Sequence, residues 1–169
     1  MAICWLDGAI DNGPGNVICR MHSDTLYFTT GFITVGSSTG DSILVSANNN
    51  GQFMVSWKDG SNLKVAKLEY TGAFVYGETV IGPMGFYFDS SAYTSLRNDG
   101  TCLIGYETSS GYALVVLDND GNFQGTQTTL NISHDQGMSV ALFDDGNALV
   151  AWQAGSVKWD PYTIPCASP

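Results

Sequence analysis

Asp118-Asn-Asp120-Gly-Asn122 gathers oxygen-bearing side chains around a glycine bend, the hard-donor chemistry that a calcium ion accepts. The run lacks the acidic residue that an EF-hand loop carries at its twelfth position, so Asp118, Asp120 and Asn122 form a candidate calcium site without a recognised motif. A second pattern sets an aromatic ring beside a carboxylate: Trp159 with Asp160, Tyr76 with Glu78, and Tyr87 near Asp89. A ring offers a flat apolar surface and a carboxylate accepts hydroxyl protons, which together suit the apolar face and hydroxyls of a sugar. These six residues are the candidate ligand-binding positions.

Catalytic chemistry has little to work with. The two histidines, His22 and His134, have no nucleophile or carboxylate at a motif-defining distance, and His134 beside Asp135 reads as a polar loop residue. No G-x-S-x-G, H-E-x-x-H or glycine-rich phosphate loop occurs. Cys4, Cys19, Cys102 and Cys166 show no C-x-x-C spacing, which argues against zinc and thioredoxin-like redox work. Cys4 and Cys102 read as small buried apolar residues. Cys19 and Cys166 could be bridged if the two ends of the chain meet, and three pairings of the four cysteines are open in principle. Thirteen of the sixteen acids are Asp, mostly beside Gly or Asn, where Asp is favoured because it bonds its own backbone and tolerates turn geometry. No enzyme and no obligatory cofactor is expected, with calcium as the one ion the residues would suit.

The elements that must position these residues repeat. Ala2-Ile-Cys-Trp5, Phe53-Met-Val-Ser-Trp57, Cys102-Leu-Ile-Gly-Tyr106 and Ala148-Leu-Val-Ala-Trp152 read as one strand written four times, with the closing aromatics 52, 49 and 46 residues apart. Asn48-Asn-Asn-Gly51, Asn98-Asp-Gly100 and Asp144-Asp-Gly146 place a tight turn before the last three. A strand precedes each turn (42–46, 92–96, 139–143), a third follows the aromatic (16–22, 63–69, 112–118, 157–160), and a fourth closes the unit (26–35, 73–80, 123–130). Side-chain character alternates along these segments, Thr, Val, Tyr and Phe fill them, and no stretch holds helical spacing beyond a turn or two. The recurring aromatic follows three apolar or small residues and reads as packing between units.

The run from Trp57 to Glu78, with its Gly turn, Trp-ended apolar strand, Asp-containing bend and Gly-rich return, resembles the degenerate blade repeat of secreted bacterial and phage-associated β-propellers. The likeness covers residues 41 to 160 well and 1 to 35 loosely. It implies an all-β, propeller-like fold of antiparallel four-stranded repeats, and leaves function open because that fold carries lectins, enzymes and scaffolds alike. The Ser-x-Asp-x-Gly-x-x-Trp boxes of sialidase-like propellers are absent, which argues against glycoside hydrolysis. One repeat domain is expected, with a partial unit at 1–38, units at 39–88 and 89–136, a partial unit at 137–160 and a tail at 161–169. The partial units either close one ring or are completed by another copy or a neighbouring protein, since open strand edges invite pairing. A β-sandwich or barrel is the alternative fold.

At 169 residues and 44% hydrophobic content the chain can fill a sizeable core. No run of 18 apolar residues and no basic stretch ahead of an apolar one occurs, so neither a membrane span nor a signal peptide is expected. The formal net charge of −10 repels phosphate backbones and acidic lipid, which disfavours nucleic-acid and membrane partners. Two function classes remain. One is a non-enzymatic recognition module for a glycan or other surface ligand, and the other is a structural subunit of a phage virion or extracellular filament. Either belongs outside the cell, on its surface or in a virion.

Overall fold

The computed structural model describes residues 1–8, 14–23, 28–40, 42–85, 92–131, 138–154 and 156–163, and these hold fourteen strands and no helix. The first sheet is β1 (Ala2–Asp7), β2 (Gly15–Met21) and β3 (Ile33–Ser38). The second is β4 (Ile43–Ala47), β5 (Gln52–Asp59), β6 (Asn62–Glu69) and β7 (Phe74–Pro83). The third is β8 (Ala92–Leu96), β9 (Cys102–Thr108), β10 (Gly111–Leu117) and β11 (Thr128–Leu130), and the fourth β12 (Met138–Leu142), β13 (Asn147–Ala154) and β14 (Ser156–Thr163). Strands pair with their sequence neighbours and run antiparallel, which makes the protein all-β and propeller-like, built of antiparallel meanders. Two compact units divide the chain at Gly82/Pro83, the first and second sheets in one and the third and fourth in the other.

One turn recurs at the hairpins. At 48–52, 97–101, 143–147, 69–73 and 118–122 the fourth residue is a glycine that donates to the carbonyl of the first, while the first donates to the carbonyl of the fifth. Those glycines hold φ between +79° and +88°, a left-handed conformation that other residues adopt at a cost. Between β10 and β11 the same chemistry shortens a strand. The expected 123–130 strand is reduced to Thr128–Leu130 plus an isolated Leu117–Phe123 bridge, because Gly121 and Gly125 at φ +85° and +78° break the extended run. The strand expected at 26–35 lies instead at Ile33–Ser38, and residues 24–27 fall outside the described ones.

Within each unit the sheets stack face to face through the repeated aromatic strand. Val17, Cys19, Met21 and Val35 of the first sheet pack on Phe53, Val55, Trp57, Ala66 and Leu68 of the second. The Trp57 indole is buried there and donates Nε1–H to the Ser37 carbonyl at 2.7 Å, while Ser38 Oγ donates to the Lys58 carbonyl at 2.6 Å. In the other unit Leu103, Tyr112 and Leu114 meet Met138, Ala148 and Val150, with Trp152 against the same cluster. Gly105 is what lets them close: a Cβ there would lie 2.5 Å from Met138 Cε and 2.9 Å from Val140 Cγ1. Trp57 and Trp152 therefore serve as inter-sheet packing.

The cysteines depart from the expectation. Cys4 and Cys19 are directly opposed across β1 and β2 and form a disulfide inside the first unit's core. Strand register brings them together, and linear spacing gave no sign of it. Cys102 is a buried free thiol, and Cys166 lies outside the described residues.

Candidate functional site

Strand geometry scatters the positions that sequence paired. Trp159 and Asp160 are consecutive in β14, opposite Ala151 and Val150, so their side chains leave opposite faces of the sheet. Trp159 is 63% exposed and has no carboxylate beside it on its own face from Asp160. Tyr76 and Glu78 also separate. The Tyr76 hydroxyl donates to Met54 Sδ at 3.4 Å and its ring lies 5.1 Å from Lys67 Nζ, on the face shared by the opposed pair Met54 and Lys67. Glu78 sits on the other face, beside Lys64 and Trp57, where its carboxylate accepts from Lys64 Nζ at 2.7 Å and crowds the space a Gly36 side chain would need. Alternation breaks at the intervening Gly77, a residue with no side chain to pack. Lys64 also reaches Asp59 at 2.6 Å, and the hydrogen bonds from Lys64 to Asp59 and Glu78 hold its ammonium above the ordinary value. Tyr87 and Asp89 lie outside the described residues.

The candidate calcium residues form a self-satisfied turn. Asp118 Oδ1 accepts from the backbone N–H of Asp120 (2.9 Å) and Asn122 (2.8 Å), and Oδ2 accepts from Asn122 Nδ2 (3.2 Å) and Gln124 Nε2 (3.0 Å). Four donors occupy what a carboxylate has to offer, so a cation would have to displace them. Asp99 and Asp145 close their own turns likewise, through Thr101 N–H and Asn147 N–H. Among the described residues no three His, Cys, Asp or Glu side chains are grouped to hold a metal.

What the fold does assemble is an aromatic cluster around Arg20. Opposed residues of an antiparallel pair share a face and neighbours alternate, so the Cys4–Cys19 link turns inward while Ile3, Trp5, Ile18 and Arg20 share the outer face of the first sheet. The segment ahead of β3 lays Phe28 and Phe32 over this face. It is tied down by Thr29 N–H to the Met21 carbonyl (3.0 Å), Met21 N–H to Thr30 Oγ1 (3.0 Å) and Arg20 Nε–H to the Thr30 carbonyl (3.1 Å). The Arg20 guanidinium carbon stands 3.2 Å from the Phe28 ring centre and 5.0 Å from that of Phe32. Trp5 meets Phe32 edge-on, centroids 5.7 Å apart, and His22 lies 4.0 Å from Phe28.

Two observations set this cluster apart from core packing. Phe28 is 51% exposed and Phe32 71%, whereas aromatics of the repeated strand such as Trp57 and Tyr106 are fully buried. Arg20 also departs from the two central sheets: by register it occupies the place of Ala66 in β6 and Val115 in β10, both buried apolar residues, while the fourth sheet has the exposed Asp160 there. The chain has two arginines. Arg97 is ion-paired with Asp99, while Arg20 has no carboxylate partner among the described residues. The result is a solvent-facing hydrophobic platform with a planar cationic donor at its centre, held by cation–π contact. Of this cluster, repeat and motif single out only Trp5 and His22 in the sequence. Phe28 and Phe32 read as ordinary strand aromatics, and the usable signal is an Arg at a position that the second and third repeats fill with Ala66 and Val115 and the fourth with Asp160.

No protein-family model matches the chain, and no curated protein matches it. Among solved structures, one similar to it is a mutant of the Aleuria aurantia lectin in complex with α-methyl-L-fucoside, at 16% sequence identity and a TM-score of 0.44, the match covering 98% of this chain and 61% of that one. The chain thus spans less than two thirds of that lectin's length. No helix among the described residues is long and apolar enough to cross a membrane.

Proposed function

We propose that the chain is a non-enzymatic recognition module that binds carbohydrate through the outer face of its first sheet. The observation that carries this reading is Phe32 at 71% exposure beside a guanidinium, an apolar plane and a hydrogen-bond donor presented together to solvent. A pyranose has the matching surface, one apolar face and a rim of hydroxyls. The Cys4–Cys19 disulfide supports an oxidising location outside the cell or on its surface. A glycan array probed with the intact protein and with Phe32→Ala tests the reading. Saccharide signal that Phe32→Ala abolishes is expected, and an array with no signal from the intact protein would sink it.

A second reading, a structural subunit of a virion or extracellular filament, is favoured by one packing rule. The aromatic face of the second sheet rests on the first sheet, and that of the fourth rests on the third. Within its unit no sheet among the described residues covers the Trp5 face of the first, and a sheet from a neighbouring subunit would supply one. The two readings compete for the same surface, so occupancy by a neighbour would abolish saccharide binding there.

A further inference from the structure

We infer that the Arg20 site selects saccharides bearing a carboxylate, such as uronic acids, over their neutral counterparts; this rests on the carbohydrate reading above and specifies its ligand class. Charge is the first ground. Lys64 is satisfied by Asp59 and Glu78, and Arg97 by Asp99, whereas Arg20 has no carboxylate among the described residues although the chain carries sixteen acids. Around it Ile3, Trp5, Ile18, Phe28 and Phe32 are uncharged, and the acid of this face, Asp7, stands opposite Asn16, four residues along β1 from the Ile3 that opposes Arg20, so no carboxylate among the described residues pairs with the guanidinium.

Geometry is the second ground. Phe28 covers one face of the guanidinium, and Nε is committed to the Thr30 carbonyl. Among the described residues the terminal N–H groups have no acceptor and stand as a planar fork, which matches the two oxygens of a carboxylate and serves a lone hydroxyl less well. Partial burial by the rings strengthens the attraction by removing competing water. With the guanidinium carbon 5.0 Å from the Phe32 centroid, one sugar ring lying on Phe32 brings a ring carboxylate within reach of the fork. The chain's net negative charge acts over longer distances and is screened beyond about 8 Å at physiological ionic strength, so it does not cancel a direct contact.

Calorimetric titration of the whole protein with methyl β-D-glucuronide, its methyl ester and methyl β-D-glucoside separates the alternatives. The glucuronide should bind about tenfold tighter than either neutral sugar, the effect of one charge-assisted contact. Arg20→Gln should bring the three sugars level, and Phe32→Ala should weaken all of them. The ester comparison uses the unmodified protein, so it decides the matter even where Arg20→Gln does not fold. Equal affinity, or a preference for the neutral sugars, would overturn the carboxylate inference and leave the carbohydrate reading standing. No heat with any of them, joined to a blank glycan array, would overturn both.

Discussion

Both oxygens of Asp118 are spent on donors of its own turn, and Asp99 and Asp145 act the same way at the hairpins that feed β9 and β13. Their titration follows. Arg97 hydrogen-bonds Asp99 and lowers it to about 2, against an ordinary 3.8. Burial pushes Asp118 up, but the Asn122, Asp120 and Gln124 donors outweigh it and leave the group lowered, and the Asn147 N–H lowers Asp145. A carboxyl depressed by folding stabilises the native state above its unfolded value and loses that contribution as pH falls through the folded one. Thermal midpoints should therefore hold down to about pH 4 and fall between pH 4 and 2, with Asp99→Asn flattening part of that fall; a midpoint unchanged across this window would contradict the assignment. Asp118→Ala should cost roughly 1–2 kcal/mol in chemical denaturation, by loss of a side-chain cap on backbone donors. Calcium should not shift the midpoint of the unsubstituted protein, and a rise of several degrees would show that the ion displaces the turn's donors. The turn role of these aspartates was legible in the sequence from their Gly and Asn neighbours. Trp159 and Asp160 do not share a face because adjacency along a strand sends side chains to opposite sides.

Element boundaries were readable wherever alternation and a Gly turn coincided. The strand at 92–96 matches residue for residue, and the strands carrying Trp57, Tyr106 and Trp152 lie where the repeat places them but run two residues past the aromatic, to Asp59, Thr108 and Ala154. Register was less accessible, and with it the Cys4–Cys19 pairing, because opposition across two strands depends on a loop whose length does not fix it. The disulfide joins residues 15 apart and should contribute about 3 kcal/mol by constraining the unfolded chain. Reduction should lower the thermal midpoint and loosen the Trp5–Arg20 face, seen as faster amide exchange in β1; an unchanged midpoint and exchange pattern would mean the link is not formed in solution. Trp57→Ala should cost roughly 3–5 kcal/mol, since it opens a cavity between two sheets and leaves the Ser37 carbonyl without its donor. A loss below about 1 kcal/mol would show that the sheets do not depend on this contact.

For the whole molecule, blade-like repetition holds unit by unit. Stacking buries the aromatic strand's face in the second and fourth sheets, and the same face of the first carries exposed Phe28 and Phe32 instead. Light scattering over a range of concentration should give 18.0 kDa throughout if that face is kept for a small ligand. A concentration-dependent ladder would favour the structural subunit. The most direct test is an NMR titration of aromatic and indole resonances with a saccharide that binds. Shifts centred on Phe28, Phe32 and the Trp5 indole, with Trp57 and Trp159 unmoved, are the expected result. Shifts centred on Trp159, with the Trp5 cluster silent, would contradict the account.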